Sequence, residues 1–175
     1  MNKTITKKRI TYAIYGLLFV FFVGIWVWEI SKFNEVLSNM WEWDKKYYFP
    51  NMLYSFKITN MFSASMLALS FGIGLFFKNR VGWVLITGWF YFVCVNLIRN
   101  EIGEKIEDTA MFFQLLVLSV IPVLFIILMN TFDGIWEYHK IQKNNRIRLN
   151  LISIGVGLVL VGLLLIKKKM LPQWL

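Results

Sequence analysis

The chain has one cysteine and one histidine, and each scarcity removes a class of chemistry. Cys94 sits alone inside an apolar stretch with no basic neighbour, which excludes an intrachain disulfide and reads as a buried structural thiol. A single histidine, His139, excludes a bis-histidine haem and argues against a histidine-based metal site. Set among Lys140, Lys143, Arg146 and Arg148, it is expected to be a solvated imidazole. There is no Gly-x-Ser-x-Gly elbow, no His-Glu-x-x-His pair and no Walker loop. No charged residue falls in the middle of an apolar block, which argues against a proton-coupled carrier or a voltage sensor. The sequence thus points to no catalytic residue, no cofactor and no metal.

Acidic residues are also few, 10 against 19 Lys and Arg, for a net charge of +9. They cluster once, in Glu101-Ile-Gly-Glu-Lys-Ile-Glu-Asp. If that stretch is helical, Glu101, Glu104 and Asp108 share a face suited to a hard divalent cation, but Lys105 favours an ordinary solvated loop. The basic residues flank apolar blocks rather than forming a stripe on a polar domain, which argues against nucleic-acid binding.

What is abundant is apolar surface: 58% of the 175 residues are hydrophobic and 18% aromatic. A soluble domain of this size cannot bury that much. The apolar residues arrive in blocks of about 18 or more, the length that crosses a hydrocarbon core as a helix. Backbone groups in lipid must satisfy one another, and the blocks lack the alternation of a barrel strand. The fold expected is all-α: a single-domain polytopic membrane bundle of five spans, at about residues 10–30, 58–77, 81–98, 111–132 and 149–166. The first block follows Lys3, Lys7, Lys8 and Arg9, but is too long for a signal peptide and lacks a small-residue cleavage site. It is expected to remain as a span.

Placing the N-terminus in the cytoplasm puts ten Lys and Arg inside and six outside before the C-terminal tail, favouring N-in. Lys167, Lys168 and Lys169 then lie outside if the last block crosses. The alternative is four spans plus a C-terminal segment that enters and returns; the full crossing is preferred because a re-entrant turn exposes backbone to lipid. The abundance of Lys, Asn and Ile suits a bacterial source and hence the inner, cytoplasmic membrane.

The connections carry their own patterns. In the extracytoplasmic segment 31–57, Phe33, Val36, Leu37, Met40 and Trp41 share one helical face, suited either to lying in the interface or to continuing span one beyond the membrane. Trp26, Trp28, Trp41, Trp43, Tyr47, Tyr48 and Phe49 suit an anchoring belt. The cytoplasmic segment 133–148 mixes Trp136 and Ile141 with basic residues, as an interfacial segment drawn to anionic lipid would.

Three groups of residues are candidates for function. Glu29, Lys57, Asn60, Ser63, Asn96, Arg99 and Gln114 share a depth just under the outer face, where polar groups near lipid demand partners or water; Glu29 and Lys57 are a candidate ion pair. Ala64, Ala68 and Gly72, with Ser70 and Gly74 beside them, and Ser153 with Gly157, recur at four-residue spacing and form candidate packing faces. Pro122 is a candidate hinge in span four. The function expected is that of a non-enzymatic accessory, immunity or sensor subunit, packing against another membrane protein or a second copy of itself. The alternative is a homo-oligomeric channel or pore-forming effector.

Overall fold

The computed structural model describes residues 3–41, 63–103 and 109–170. Every regular element among them is helical: α1 (Lys3–Trp41), α2 (Ser63–Phe76), α3 (Arg80–Gly103), α4 (Thr109–Thr131), a short α5 (Asp133–Tyr138), a 3-10 turn (Lys143–Asn145) and α6 (Arg146–Met170). Among the described residues, three helices contain stretches long and apolar enough to cross a membrane: Ile5–Glu35, Arg80–Arg99 and Lys143–Ile166. The parts of α2 and α4 whose side chains are described, Leu67–Phe76 and Ser119–Thr131, are apolar as well.

α1 has 39 residues, roughly 58 Å at helical rise, and runs without interruption past residue 30 to Trp41. Of the two arrangements open to residues 31–41, the structure therefore has the one in which span one continues as helix; the rest of the aromatic segment lies outside the described residues. α6 is one unbroken helix of 25 residues, about 37 Å, with no return inside it. Pro122 is buried within α4, which stays helical on both sides of the ring.

The centre of the bundle is α3, which packs against α2, α4 and α6, while α1 packs on α2 and α5. A ladder of rings joins four helices. Phe71 of α2 stacks on Trp89 of α3 at 4.9 Å between centroids, and Phe90 of α3 stacks on Phe125 of α4 at 5.0 Å. Phe21 of α1 meets Trp89 edge-on at 6.0 Å. Such pairs add directional preference to the dispersion that holds helices together in lipid, where burial from water contributes little.

Glycine lets the backbones meet. The tight α2–α3 turn requires Gly82, where a Cβ would run into the Phe77 carbonyl and lie 2.7 Å from that of Gly74. Asn79 caps α3 by accepting the Gly82 N–H at 3.1 Å. On the other side of α3, Gly88 meets α6 so closely that a Cβ there would be 3.0 Å from the Ser153 carbonyl oxygen. A Cβ on Gly157 would in turn be 2.9 Å from the Gly88 carbonyl oxygen.

Candidate functional site at the basic end of the bundle

The beginning of α1, the α2–α3 turn and the segment between α4 and α6 come together at one end of the molecule. Nine basic residues described there (Lys7, Lys8, Arg9, Lys78, Arg80, Lys140, Lys143, Arg146 and Arg148) face two acidic ones, Asp133 and Glu137. Lys7 Nζ lies 3.4 Å from Glu137 and 3.9 Å from Asp133, and Arg146 lies 3.6 Å from Asp133. These exposed pairs orient the elements more than they stabilise them.

The segment 133–148 packs its apolar residues Trp136 and Ile141 into the bundle. Extended backbone at Phe132 ends α4 and starts α5. The indole N–H of Trp83 then donates at 3.2 Å to the Met129 carbonyl near the end of α4, where helical partners run out. α5 closes with a Schellman turn: Lys140 N–H bonds to the Glu137 carbonyl at 3.2 Å and Ile141 N–H to that of Trp136 at 2.9 Å. The left-handed residue in that turn is Lys140, with φ of 54°. The reversal drives Trp136, His139 and Ile141 inward, so the apolar side chains expected to dip into lipid are core. Arg146 covers Trp136, its guanidinium carbon 3.5 Å from the ring centroid.

The expectation of a solvated His139 is overturned: its exposure is 0%. Nδ1 is 2.8 Å from the Asn79 carbonyl oxygen, which can only accept, so Nδ1 carries the proton. Nε2 is left to accept from the Tyr15 hydroxyl of α1. One neutral imidazole therefore ties α1, the α2–α3 turn and the α5 turn together. Burial pushes its pKa down to about 4, against the pull of the Asn79 and Phe77 carbonyls towards the charged form. Tyr138 beside it is pushed above its ordinary value, chiefly by burial.

A cavity of about 140 Å³ opens between α1 and α5 at this end. α1 lines it with Lys7, Lys8, Thr11 and Tyr12, and α5 with Gly134, Glu137 and Tyr138. α5 comes this close because Gly134 has no side chain: a Cβ there would strike Thr11 Oγ1. Tyr12 and Tyr138 meet edge-on at 6.2 Å, and Lys78 Nζ lies 5.6 Å from the Tyr138 centroid. A second polar link joins three helices nearby: Tyr91 donates to Asn150 at 3.3 Å, and Asn150 donates to Asn130.

The residues singled out in the sequence fall elsewhere. Asn96 and Arg99 lie together at the far end of α3, half-buried; Asn96 Oδ1 and Arg99 Nη1 are enclosed and lack a hydrogen-bond partner among the described residues. Glu29 is half-buried on α1, and Ser63 and Gln114 lie on α2 and α4. Lys57 and Asn60 lie outside the described residues, and with them the candidate Glu29–Lys57 pair. Glu104, Glu107 and Asp108 lie outside them as well, with Glu101 on α3; among the described residues no three His, Cys, Asp or Glu converge. Ala68 is fully buried, and a Cβ on Gly72 would meet the Phe22 ring at 2.5 Å, so this face of α2 receives α1; Ala64 lies one turn earlier on α2. Ser153 and Gly157 face Gly88.

Tyr15, Asn79, Gly88, Gly134, Asn130 and Asn150 were missed. Gly88 had a signal, standing small in the bulky run Trp89-Phe-Tyr-Phe. So did Asn130 and Asn150, amides at the edges of apolar blocks. Tyr15 and the Asn79 carbonyl had none, because their role depends on a partner far along the chain. No protein-family model, curated protein or solved structure matches the chain.

Proposed function

We propose that this is a five-span protein of the bacterial cytoplasmic membrane, its basic end inside, acting without catalysis as an accessory, immunity or sensor subunit that packs its helices against a partner in the membrane. The gathering of the N-terminus, the 77–80 turn and the 133–148 segment at one end supports the N-in orientation, since it collects the positive charge on one side. The supporting observation for partner packing is the outward face of α6. Gly155 and Gly162, about two turns apart, have nothing within 4 Å among the described residues, and Leu158 and Val159 beside them are exposed. A second transmembrane helix, from another protein or another copy of this chain, fits such a notch because its backbone can approach without a Cβ in the way.

Mass determination after gentle detergent extraction tests this reading. A complex heavier than one chain is expected, reduced to one chain by the double change Gly155→Leu and Gly162→Leu. A single-chain mass for the unaltered protein would defeat it, and conductance across reconstituted bilayers would replace it with a pore.

A further inference from the structure

We infer that the cavity between α1 and α5 holds the phosphate of an anionic phospholipid from the leaflet at the basic end. The inference goes beyond partner packing and uses a different surface.

The charge in the cavity is unevenly committed. Glu137 is matched by Lys7 at 3.4 Å, and Asp133 by Lys7 and Arg146. Lys8 lines the same cavity, is exposed, and has no acidic partner among the described residues. Lys78 adds a further cation against the Tyr138 ring. The lining therefore retains positive charge after its own carboxylate is neutralised, and Tyr12 and Tyr138 contribute phenol groups able to donate to phosphate oxygens. The ammonium of Lys8 is well matched to a phosphodiester monoanion as a point charge.

The surface below selects a lipid over a soluble phosphate compound. From Lys8, four-residue steps along α1 give Tyr12, Gly16, Val20 and Gly24, all exposed. Tyr12 is 60% and Val20 69% exposed, while Gly16 and Gly24 have nothing within 4 Å among the described residues. Each step turns about 40° around α1, so the open surface from Tyr12 through Gly16 to Val20 slants away from the cavity and offers an acyl chain an apolar path beneath a bound headgroup. A free phosphate compound would leave that path unused.

The test is native mass spectrometry of the full chain in detergent micelles containing equal phosphatidylglycerol and phosphatidylcholine. The unaltered protein is expected to retain one phosphatidylglycerol in preference to phosphatidylcholine. Lys8→Gln should weaken that retention about fivefold, the size expected for one basic residue at an anionic headgroup. Lys143→Gln, exposed at the same end but away from the cavity, should not. Inorganic phosphate at millimolar concentration should not displace the lipid. Equal loss in Lys143→Gln would reduce the effect to diffuse attraction, and no preference over phosphatidylcholine would overturn the site. Displacement by inorganic phosphate would reassign it to a soluble ligand. Lys8 is exposed and outside the core, so the variant should fold, and unchanged tryptophan fluorescence would verify this. Gly155 and Gly162 take no part, so lipid retention and complex mass can fail independently.

Discussion

The two faces of α6 carry the same kind of residue and have opposite fates. Ser153 and Gly157 face inward and are closed by α3, whose Gly88 brings backbone within contact of backbone. Gly155 and Gly162, nearly opposite on the helical wheel, meet no other described residue of this chain. Adjacent residues differ in the same way at the α5 turn: His139 is fully buried, and Lys140, next in the chain, is exposed. Small or polar character thus marks a position as a contact only when another element supplies the complementary surface.

The largest effect should come from exchanging the two glycine environments. Gly157→Leu puts a side chain into the Gly88 backbone and is expected to cost about 3 kcal/mol, by overpacking. Gly155→Leu should change stability by less than about 0.5 kcal/mol. Denaturant unfolding in detergent, followed by tryptophan fluorescence, compares them; equal losses would erase the distinction between the faces.

Acid should separate His139 from its exposed surroundings. Its pKa is about 4 in the fold against 6.5 for an ordinary imidazole. Above pH 6.5 both folded and unfolded states are neutral there, and the full stability is present. Between 6.5 and 4 the unfolded chain takes up a proton that the fold refuses, so stability falls as pH falls and levels off below 4. From pH 7.5 to 5 the loss should be about 2 kcal/mol. His139→Asn should remove most of this slope at the cost of a lower plateau; a slope unchanged by the substitution would show that the imidazole is not its source.

Smaller effects sharpen the contrast further. Asn150→Leu should cost about 1 kcal/mol, because it cuts the links to Tyr91 and Asn130 between helices. Lys140→Gly should stabilise the turn by about 1 kcal/mol, since glycine adopts the left-handed conformation without a Cβ penalty. A loss of stability there would mean that the lysine side chain contributes something the turn geometry does not account for.

Much of the secondary structure was legible because lipid leaves the backbone few choices. All the described parts of the five apolar blocks are helix, with ends shifted by a few residues, and the basic segments meet at one end. The four-residue spacing of small residues on α2 and α6 was also visible, since spacing is a local property. The basic-end site was not. Surface seemed the natural place for His139 among lysines and arginines, yet a turn of left-handed backbone aims it at Tyr15, 124 residues away. Trp136 and Ile141 misled similarly, because amphipathic character does not distinguish a lipid surface from a protein one.

Sequence alone determined that these segments are apolar helices, because their length and continuous hydrophobicity suit few other structures. Tertiary structure alone decided which notch on α6 is filled, which imidazole loses its water and where a cavity opens beside Lys8. Those outcomes depend on which distant backbone lies within a few ångströms, and short-range pattern carries no record of that distance.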